Sequence, residues 1–112
     1  GNGWSDRLKD GLMDESFQLP GVSGVALLDL DVIGYIDTAI YAAKLSAVVR
    51  YGSGVVIEGT PTVVVMRDTT GGEASVTISG AGDDEIRINV SSGELGGFTW
   101  VARVAAVVGY ST

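Results

Sequence analysis

Cysteine and histidine are both absent from this chain of 112 residues. Without cysteine there is no disulfide, no thiolate nucleophile and no thiolate metal ligand, so packing or subunit association must stabilise the fold. Without histidine the chain lacks the usual general base and the commonest transition-metal ligand, which excludes ordinary serine triads and zinc hydrolases. Proline is scarce, with 2 residues against 17 glycines. Together with the many valines and alanines, this composition favours short strands and tight turns over helices.

Basic residues are also few, and the chain is acidic. Lys and Arg total 7 against 14 Asp and Glu, which gives a formal net charge of −7 at pH 7. The basic residues occur singly, whereas binding a phosphate backbone needs clustered cations. The apolar runs are far shorter than the ~20 residues that cross a bilayer. We therefore expect no nucleic-acid partner and no membrane insertion.

The apolar fraction of 46% is ample for a core and excludes a disordered chain. Beyond residue 24, apolar and polar residues alternate with period two between glycine-rich turns. This pattern predicts an all-β fold, an antiparallel β-sandwich that is jelly-roll-like, with a short N-terminal arm or helix. The predicted strands cover residues 25–33, 38–51, 55–58, 62–67, 75–79, 86–90 and 98–108.

Three of these strands carry more specific expectations. Gly34, directly after the first strand, permits a bend or bulge. Pro61 removes a backbone donor and therefore predicts a sheet edge or a strand start for residues 62–67. The three valines at 63–65 are dense enough to predict a strand that is buried on both faces.

Residues 1–21 are expected to form an N-terminal arm and residues 22–112 the β-sandwich domain. Trp4, Leu8 and Leu12 recur at helical spacing before a break at Gly11. The segment is either a short helix or a surface arm that packs its Trp against a neighbour. The arm is favoured because such short helices are marginal in water.

The strand at residues 98–108 is apolar on both faces. Trp100 and Val104 lie on one face, and Val101 and Val107 lie on the other, on either side of Arg103. A strand of this kind must be covered on both sides, by a second sheet and by another subunit. Trp100, Val101, Val104 and Val107 are therefore predicted as core or subunit-contact residues.

Two acidic groupings are candidates for calcium, and the first of them also for a pair of catalytic carboxylates. Asp29 and Asp31 fall on the same side of one strand, and residues 83–85, Asp-Asp-Glu, follow a Gly-Ala-Gly turn. Neither grouping supplies the six or more oxygens that calcium prefers. An exposed face near a strand end and a solvated hairpin tip are the simpler interpretations, so no metal and no cofactor are expected.

A third grouping would be a glycosidase pair, formed by Glu58 with Asp68 or Glu94 if their loops met. Sequence cannot bring those loops together, so no catalytic residue is predicted. Arg50 and Arg103 stand among apolar neighbours, where a paired or snorkelling side chain is the usual explanation. An ion pair between subunits, with Asp29 or Asp31, is equally compatible with the pattern.

Aromatic residues offer a second kind of site. Tyr35, beside Gly34, and Tyr110, near the end of the last strand, are the best candidates for exposed stacking on a sugar ring. Packing between subunits is the alternative for both. Trp100 and Tyr41 lie in apolar alternation and are expected in the core.

The order of motifs over residues 38–108 resembles the small β-sandwich domains of tailed-bacteriophage virion proteins, which occur in tail fibres, tail spikes and head fibres. The motifs are Tyr41-Ala-Ala-Lys-Leu-Ser-Ala-Val-Val, Thr62-Val-Val-Val-Met, Val76-Thr-Ile-Ser-Gly, Ile86-Arg-Ile-Asn-Val and Trp100-Val-Ala-Arg-Val. The resemblance implies a homotrimer, a jelly-roll-like fold and a role in host attachment or fibre-tip folding. It offers no catalytic residues to transfer.

The favoured function is therefore a non-enzymatic structural or receptor-binding domain of a phage virion, which self-assembles as a trimer and binds host-surface glycan. A carbohydrate-binding module of a larger enzyme is the alternative, distinguished by its usual monomeric state. A small glycan-cleaving enzyme with a carboxylate pair is the third and least favoured hypothesis.

Overall fold

The computed structural model describes the backbone of residues 2–9 and the whole of residues 16–112. Within these ranges the chain is built of strands and a single 3₁₀ turn, and no helix is long and apolar enough to cross a membrane. The elements are β1 (Asn2–Lys9), β2 (Ser16–Gln18), β3 (Ser23–Ile36), β4 (Ala39–Tyr51), β5 (Val55–Asp68), β6 (Ser75–Gly80), β7 (Glu85–Ser91), the 3₁₀ turn (Gly93–Leu95) and β8 (Thr99–Ser111).

The strands form two antiparallel sheets that pack as a β-sandwich, so the predicted fold class is confirmed. One sheet has five strands in the order β1-β8-β3-β4-β5, and the other has three in the order β2-β7-β6. The pairings of β1 with β8 and of β2 with β7 nest the two ends of the chain, as in a jelly roll. Strands β3, β4 and β5 continue as a meander within the larger sheet.

The core lies between the sheets and is organised around Trp100, which is fully buried. Its indole meets the Tyr41 ring edge-on, with centroids 6.1 Å apart, and the tilted Phe98 ring at 5.6 Å. Val104 is buried on the same face of β8, and Ile88 faces it from the smaller sheet. Aromatic side chains bury about 150 to 250 Å² each, so each of these rings adds a large apolar area to the core.

Gly34 lies within β3, which continues to Ile36, so the strand does not end at residue 33 and has no bulge at this glycine. The register of β3 with β4 and with β8 is unbroken through Gly34, which is the cross-strand partner of Trp100. A Cβ at this position would overlap the six-membered ring of Trp100. The glycine therefore gives the indole room to lie across β3, an arrangement in which the aromatic ring covers the exposed backbone of the glycine.

Strand β5 is the edge of the larger sheet, as Pro61 predicts. Its register with β4 shifts between Ser46 and Val48, so residues 59–61 bulge opposite one residue of β4. The expectation of burial on both faces is wrong for residues 63–65. Val63 is 43% and Val65 49% exposed although they point to the core side, because the three-stranded sheet does not cover this end of β5.

The N-terminal residues belong to both sheets. Asn2–Lys9 form β1 against β8, with Trp4 in register with Val104, so the helical alternative is wrong for these residues. Leu12 and the break at Gly11 lie outside the described residues. Ser16–Gln18 form β2 against β7. Strands on both sides of the boundary predicted at residues 21 and 22 therefore share the same two sheets.

Candidate functional site

The side of the five-stranded sheet that faces away from the smaller sheet is unusually apolar. We call this side, as formed by β8, β3, β4 and β5, the outer face. Cross-strand partners share a face, so the register identifies its members. Among the described side chains, nine of the fifteen large exposed hydrophobic residues lie here. They are Val25, Leu27, Ile33, Tyr35, Ile40, Val48, Val56, Val64 and Val107.

A hydrogen-bonded cluster interrupts this apolar surface at its centre. We call it the polar island, and its members are Asp29, Asp31, Lys44, Ser46 and Arg103. Asp31 accepts from Lys44 Nζ at 2.8 Å and from Arg103 Nη2 at 2.6 Å. Asp29 accepts from the Ser46 hydroxyl at 2.9 Å. The two carboxylates thus differ, since Asp31 has two cations and Asp29 has a neutral donor.

The hydrogen bonds from Lys44 and then from Arg103 hold the pKa of Asp31 below its usual range. An Asp31 that is ionised and bound to two cations is a poor general acid or base. The pair of carboxylates lies in the middle of β3, so the expectation of a strand end is wrong. No group of three or more acidic side chains among the described residues is arranged to hold a metal ion.

The outer face also differs from the rest of the protein in charge. Its four cations are Lys44, Arg50, Arg67 and Arg103, and its three carboxylates are Asp29, Asp31 and Glu58, which leaves a net side-chain charge of +1. The remaining residues of 16–112 carry seven carboxylates and Arg87 alone, a net charge of −6. The outer face is therefore both the most apolar and the least acidic surface of residues 16–112.

A second surface feature lies at one end of the sandwich, where β3 and β5 begin and β4 and β8 end. It is a shallow depression of about 790 Å³, which we call the end depression. Tyr110 and Tyr51 line it together with several glycines and serines, and its wall on the other side is formed by Val25, Arg50 and Val56 of the outer face. An exposed aromatic ring beside hydroxyl and backbone groups is the combination that stacks on and hydrogen-bonds a sugar.

Local packing holds the two tyrosines of the end depression. Tyr51 is buried, and its hydroxyl donates to the carbonyl of Pro20, while burial raises the pKa of that phenol. Tyr110 is half exposed and lies over Gly21 and Gly24, where an added Cβ would meet it. Gly24 is the cross-strand partner of Tyr110, just as Gly34 is the partner of Trp100. The ring of Tyr110 thus lies against Gly21, its Cα and Cβ lie against Gly24, and the residue as a whole is half exposed.

The structure separates the two tyrosines that the sequence suggested as sugar-stacking residues. Tyr110 pairs with Gly24 on β3, and Tyr35 lies eleven residues further along that strand, about 36 Å away at ~3.3 Å per residue. Tyr35 belongs to the outer face, between Thr99 and Ile40, whereas Tyr110 has the alternation of the core-facing residues of β8. Only Tyr110 lines the end depression.

The acidic residues of the β6–β7 turn support neighbouring strands. Asp84 accepts a hydrogen bond from Gln18 Nε2 at 2.9 Å, and Glu85 accepts one from the Ser16 hydroxyl at 3.3 Å. The backbone amide of Leu19 also bonds to the Asp84 carbonyl at 2.7 Å. These contacts tie the segment around β2 to the turn.

Glu58 and Asp68 do not form a catalytic pair. They lie opposite Val48 and Tyr41 on β4, about 23 Å apart along the strand at ~3.3 Å per residue, whereas glycosidase carboxylates are ~5 to 9.5 Å apart. Glu58 accepts a hydrogen bond from Arg50 Nε at 3.1 Å. Asp68 caps the following loop by accepting from the Thr70 hydroxyl and amide, which lowers the pKa of Asp68.

Glu94 lies in the 3₁₀ turn, where its backbone amide donates to Glu73 at 3.2 Å. Comparison of the chain with family models, with curated proteins and with solved structures finds no match. The geometry of the chain itself provides two candidate sites, the outer face and the end depression that adjoins it.

Proposed function

We propose that this chain is a non-enzymatic structural and receptor-binding domain of a phage virion. It assembles as a homotrimer through the outer face and binds a host-surface glycan on the Tyr110 side of the end depression, away from the lining residues Val25, Arg50 and Val56, which belong to the outer face. The observation that carries the proposal is the outer face itself, an apolar and nearly neutral sheet surface on an acidic chain. The virion assignment rests on the resemblance of residues 38–108 to phage β-sandwich domains.

The distribution of charge supports association of like chains through this face. Copies of a protein with a net charge of −7 repel one another on most approaches. The outer face, at a side-chain charge of +1, is where this repulsion is weakest and where burial of apolar side chains is most favourable. The surface whose burial is most favourable is therefore also the surface at which electrostatic repulsion between copies is weakest.

The dimensions of the outer face suit a threefold assembly. With β1 included, the five strands of the sheet, spaced about 4.8 Å apart, make a side about 24 Å wide. Three such sides, arranged as a triangular prism, lie about 7 Å from the axis, somewhat more than half of the ~10 Å that separates packed sheets. Side chains from the three faces then fill the prism as they fill the core of a sandwich.

The end depression supports the receptor-binding part of the proposal. Tyr110 offers one ring face, and the neighbouring serines and backbone groups supply hydrogen-bond donors and acceptors. The acidic balance of the chain favours a neutral glycan over a polyanion. Tyr35 lies on the outer face, so in this proposal it is a subunit contact.

Two measurements test the two parts. Because assembly through the outer face is coupled to folding, the thermal midpoint should rise with protein concentration. A midpoint that is constant over a hundredfold range of concentration contradicts the assembly. For the ligand, a glycan array should give binding that Tyr110→Ala abolishes and that the matched control Tyr35→Ala retains if the assembly persists.

A blank array with the native chain removes the receptor-binding part of the proposal. Binding by a chain that is monomeric throughout favours the alternative of a carbohydrate-binding module. Tight binding to DNA would contradict the electrostatic argument that underlies both parts.

A further inference from the structure

We infer that the polar island sets the alignment of the assembled copies, with Asp29 of one copy paired to Lys44 or Arg103 of the next. This inference rests on the proposed assembly through the outer face and adds the contact that determines its register. The partner it requires is a second copy of this chain. The two carboxylates of the polar island have different partners within the chain.

The negative charge of Asp31 is neutralised by cations of its own chain, and that of Asp29 is not. Asp31 has cations on both sides, from β4 and from β8. Asp29 bonds to the Ser46 hydroxyl, and no cation among the described side chains lies within ion-pair distance of it. Its neighbours on the outer face along β3 are Asp31 and Leu27, and its partner on β8 is Ala105.

Burying the outer face would take this carboxylate out of water. A buried charge that has a single neutral donor is costly, and removing solvent from it is compensated only by a cation or several further donors. Alignments of two copies that leave Asp29 unpaired are therefore disfavoured. In the same way, a single polar residue in an apolar helix interface specifies register and stoichiometry.

The cations that could pair with it are present on the same face and are only partly used. The side chain of Lys44 is 59% exposed and that of Arg103 68% exposed, although both contact Asp31. A guanidinium has five N–H donors, so Arg103 can bind Asp31 and a second carboxylate together. Both cations lie one strand to the side of Asp29 and one residue pair along β3, at the level of Asp31.

The polar island thus holds an unbalanced carboxylate and two partly free cations within one small area. An area with both signs can be complementary to a copy of itself, whereas a patch of one sign cannot. The apolar residues at both ends of the outer face supply the attraction, and the island selects among the ways in which they could meet.

Charge reversal in two chains tests the contact between copies. Asp29→Lys and Lys44→Asp should each weaken self-association at least tenfold, because each places like charges together at the contact. A mixture of the two variants should recover part of the lost association, with both chains in one particle, because two of the three contacts in a mixed trimer then join opposite charges. Differently tagged chains and native mass spectrometry give the stoichiometry.

Asp83→Lys is the matched control, since it makes the same change of charge in the β6–β7 turn, away from the outer face. Cooperative melting of each variant establishes that it is folded. Should Asp29→Lys fail to fold, Asp29→Asn serves in its place and should weaken association less, because an amide lacks the charge.

The outcomes separate the inference from the proposed function. A native oligomer whose mass is unchanged in Asp29→Lys overturns the role of the polar island and leaves the assembly standing. A native chain that is monomeric at every concentration overturns the assembly itself. Variants that weaken association without recovery in the mixture also contradict pairing between copies.

Discussion

The two faces of the five-stranded sheet are built from the same strands and differ in what covers them. On β3 the core-facing residues Leu28, Leu30 and Val32 are almost completely buried, while Leu27 and Ile33 on the outer face are about half exposed. The side chains are of the same type on both sides. The comparison teaches that apolar alternation locates a strand, whereas burial depends on an opposing layer. The smaller sheet supplies that layer on one side only.

The largest difference between the two faces is expected when the largest core residue is removed. Trp100→Ala should cost about 3 to 5 kcal/mol of unfolding free energy, because it leaves a cavity between the two sheets. Val107→Ala, on the outer face of the same strand and 68% exposed, should change the stability of the dilute chain by less than about 0.5 kcal/mol. Urea denaturation measures both. Equal costs would contradict the assignment of the two faces.

The second prediction concerns the glycine beneath the indole. Gly34→Ala places a methyl group where the Trp100 ring lies, so it should destabilise the fold by about 1 to 3 kcal/mol through overpacking. Gly109→Ala is the matched control, because it is also a strand glycine, and an added Cβ there meets nothing within 4 Å. A neutral Gly34→Ala would show that the packing of Trp100 on β3 is not as described.

The third prediction concerns association. Leu27→Asp puts a charge on the outer face without touching the core, so it should weaken self-association about tenfold or more and leave the melting cooperative. Val22→Asp makes the same change at a residue that is more exposed and lies outside β3. Sedimentation velocity over a range of concentrations gives both affinities. Equal effects of the two substitutions would argue against the outer face as the contact.

The smallest effect is expected from the ion pairs of the polar island. The pKa of Asp31 is lowered, so its ionised form contributes stability above the ordinary pKa of 3.8, and that contribution is lost as pH falls through the lower pKa of the folded state. Asp31→Asn should therefore cost about 0.2 to 1 kcal/mol at pH 7, as for exposed ion pairs. Near pH 2 to 3 the difference from the native chain should shrink, in urea denaturation of dilute protein. A cost independent of pH would contradict the pairing.

Much of the fold follows from local pattern, because most strands lie next to their neighbours in sequence. The alternation in residues 38–51 predicts β4 closely, and the glycines at 52 and 54 predict the turn to β5. The two residues between β3 and β4 then fix the register, so Asp31 must lie opposite Lys44 and Asp29 opposite Ser46. The predicted strand ends at residue 33, whereas β3 continues through Gly34 to Ile36. With the longer strand, the short turn alone would have predicted the pairs of the polar island on β3 and β4.

The features that could not be predicted from sequence depend on contacts between residues that are far apart in the chain. A glycine such as Gly34 suggests the end of a strand when it is considered alone. Its role depends on its cross-strand partner Trp100, which lies 66 residues away in the sequence. The exposure of Val63 and Val65 depends on the width of the opposing sheet, which no property of β5 reveals. The separation of Tyr35 from Tyr110 likewise follows from the antiparallel pairing of β3 with β8. Pattern therefore predicted the strands from β3 onward, but neither β1 and β2 nor how widely each strand is covered.

The central claim is that the uncovered side of the sheet is a contact between copies of this chain. The most direct test is the mass in solution, measured by light scattering from micromolar concentration upward. The account predicts the mass of three chains of 11.5 kDa, about 34.5 kDa, falling toward that of one chain on dilution. A mass of 11.5 kDa at every concentration would contradict it.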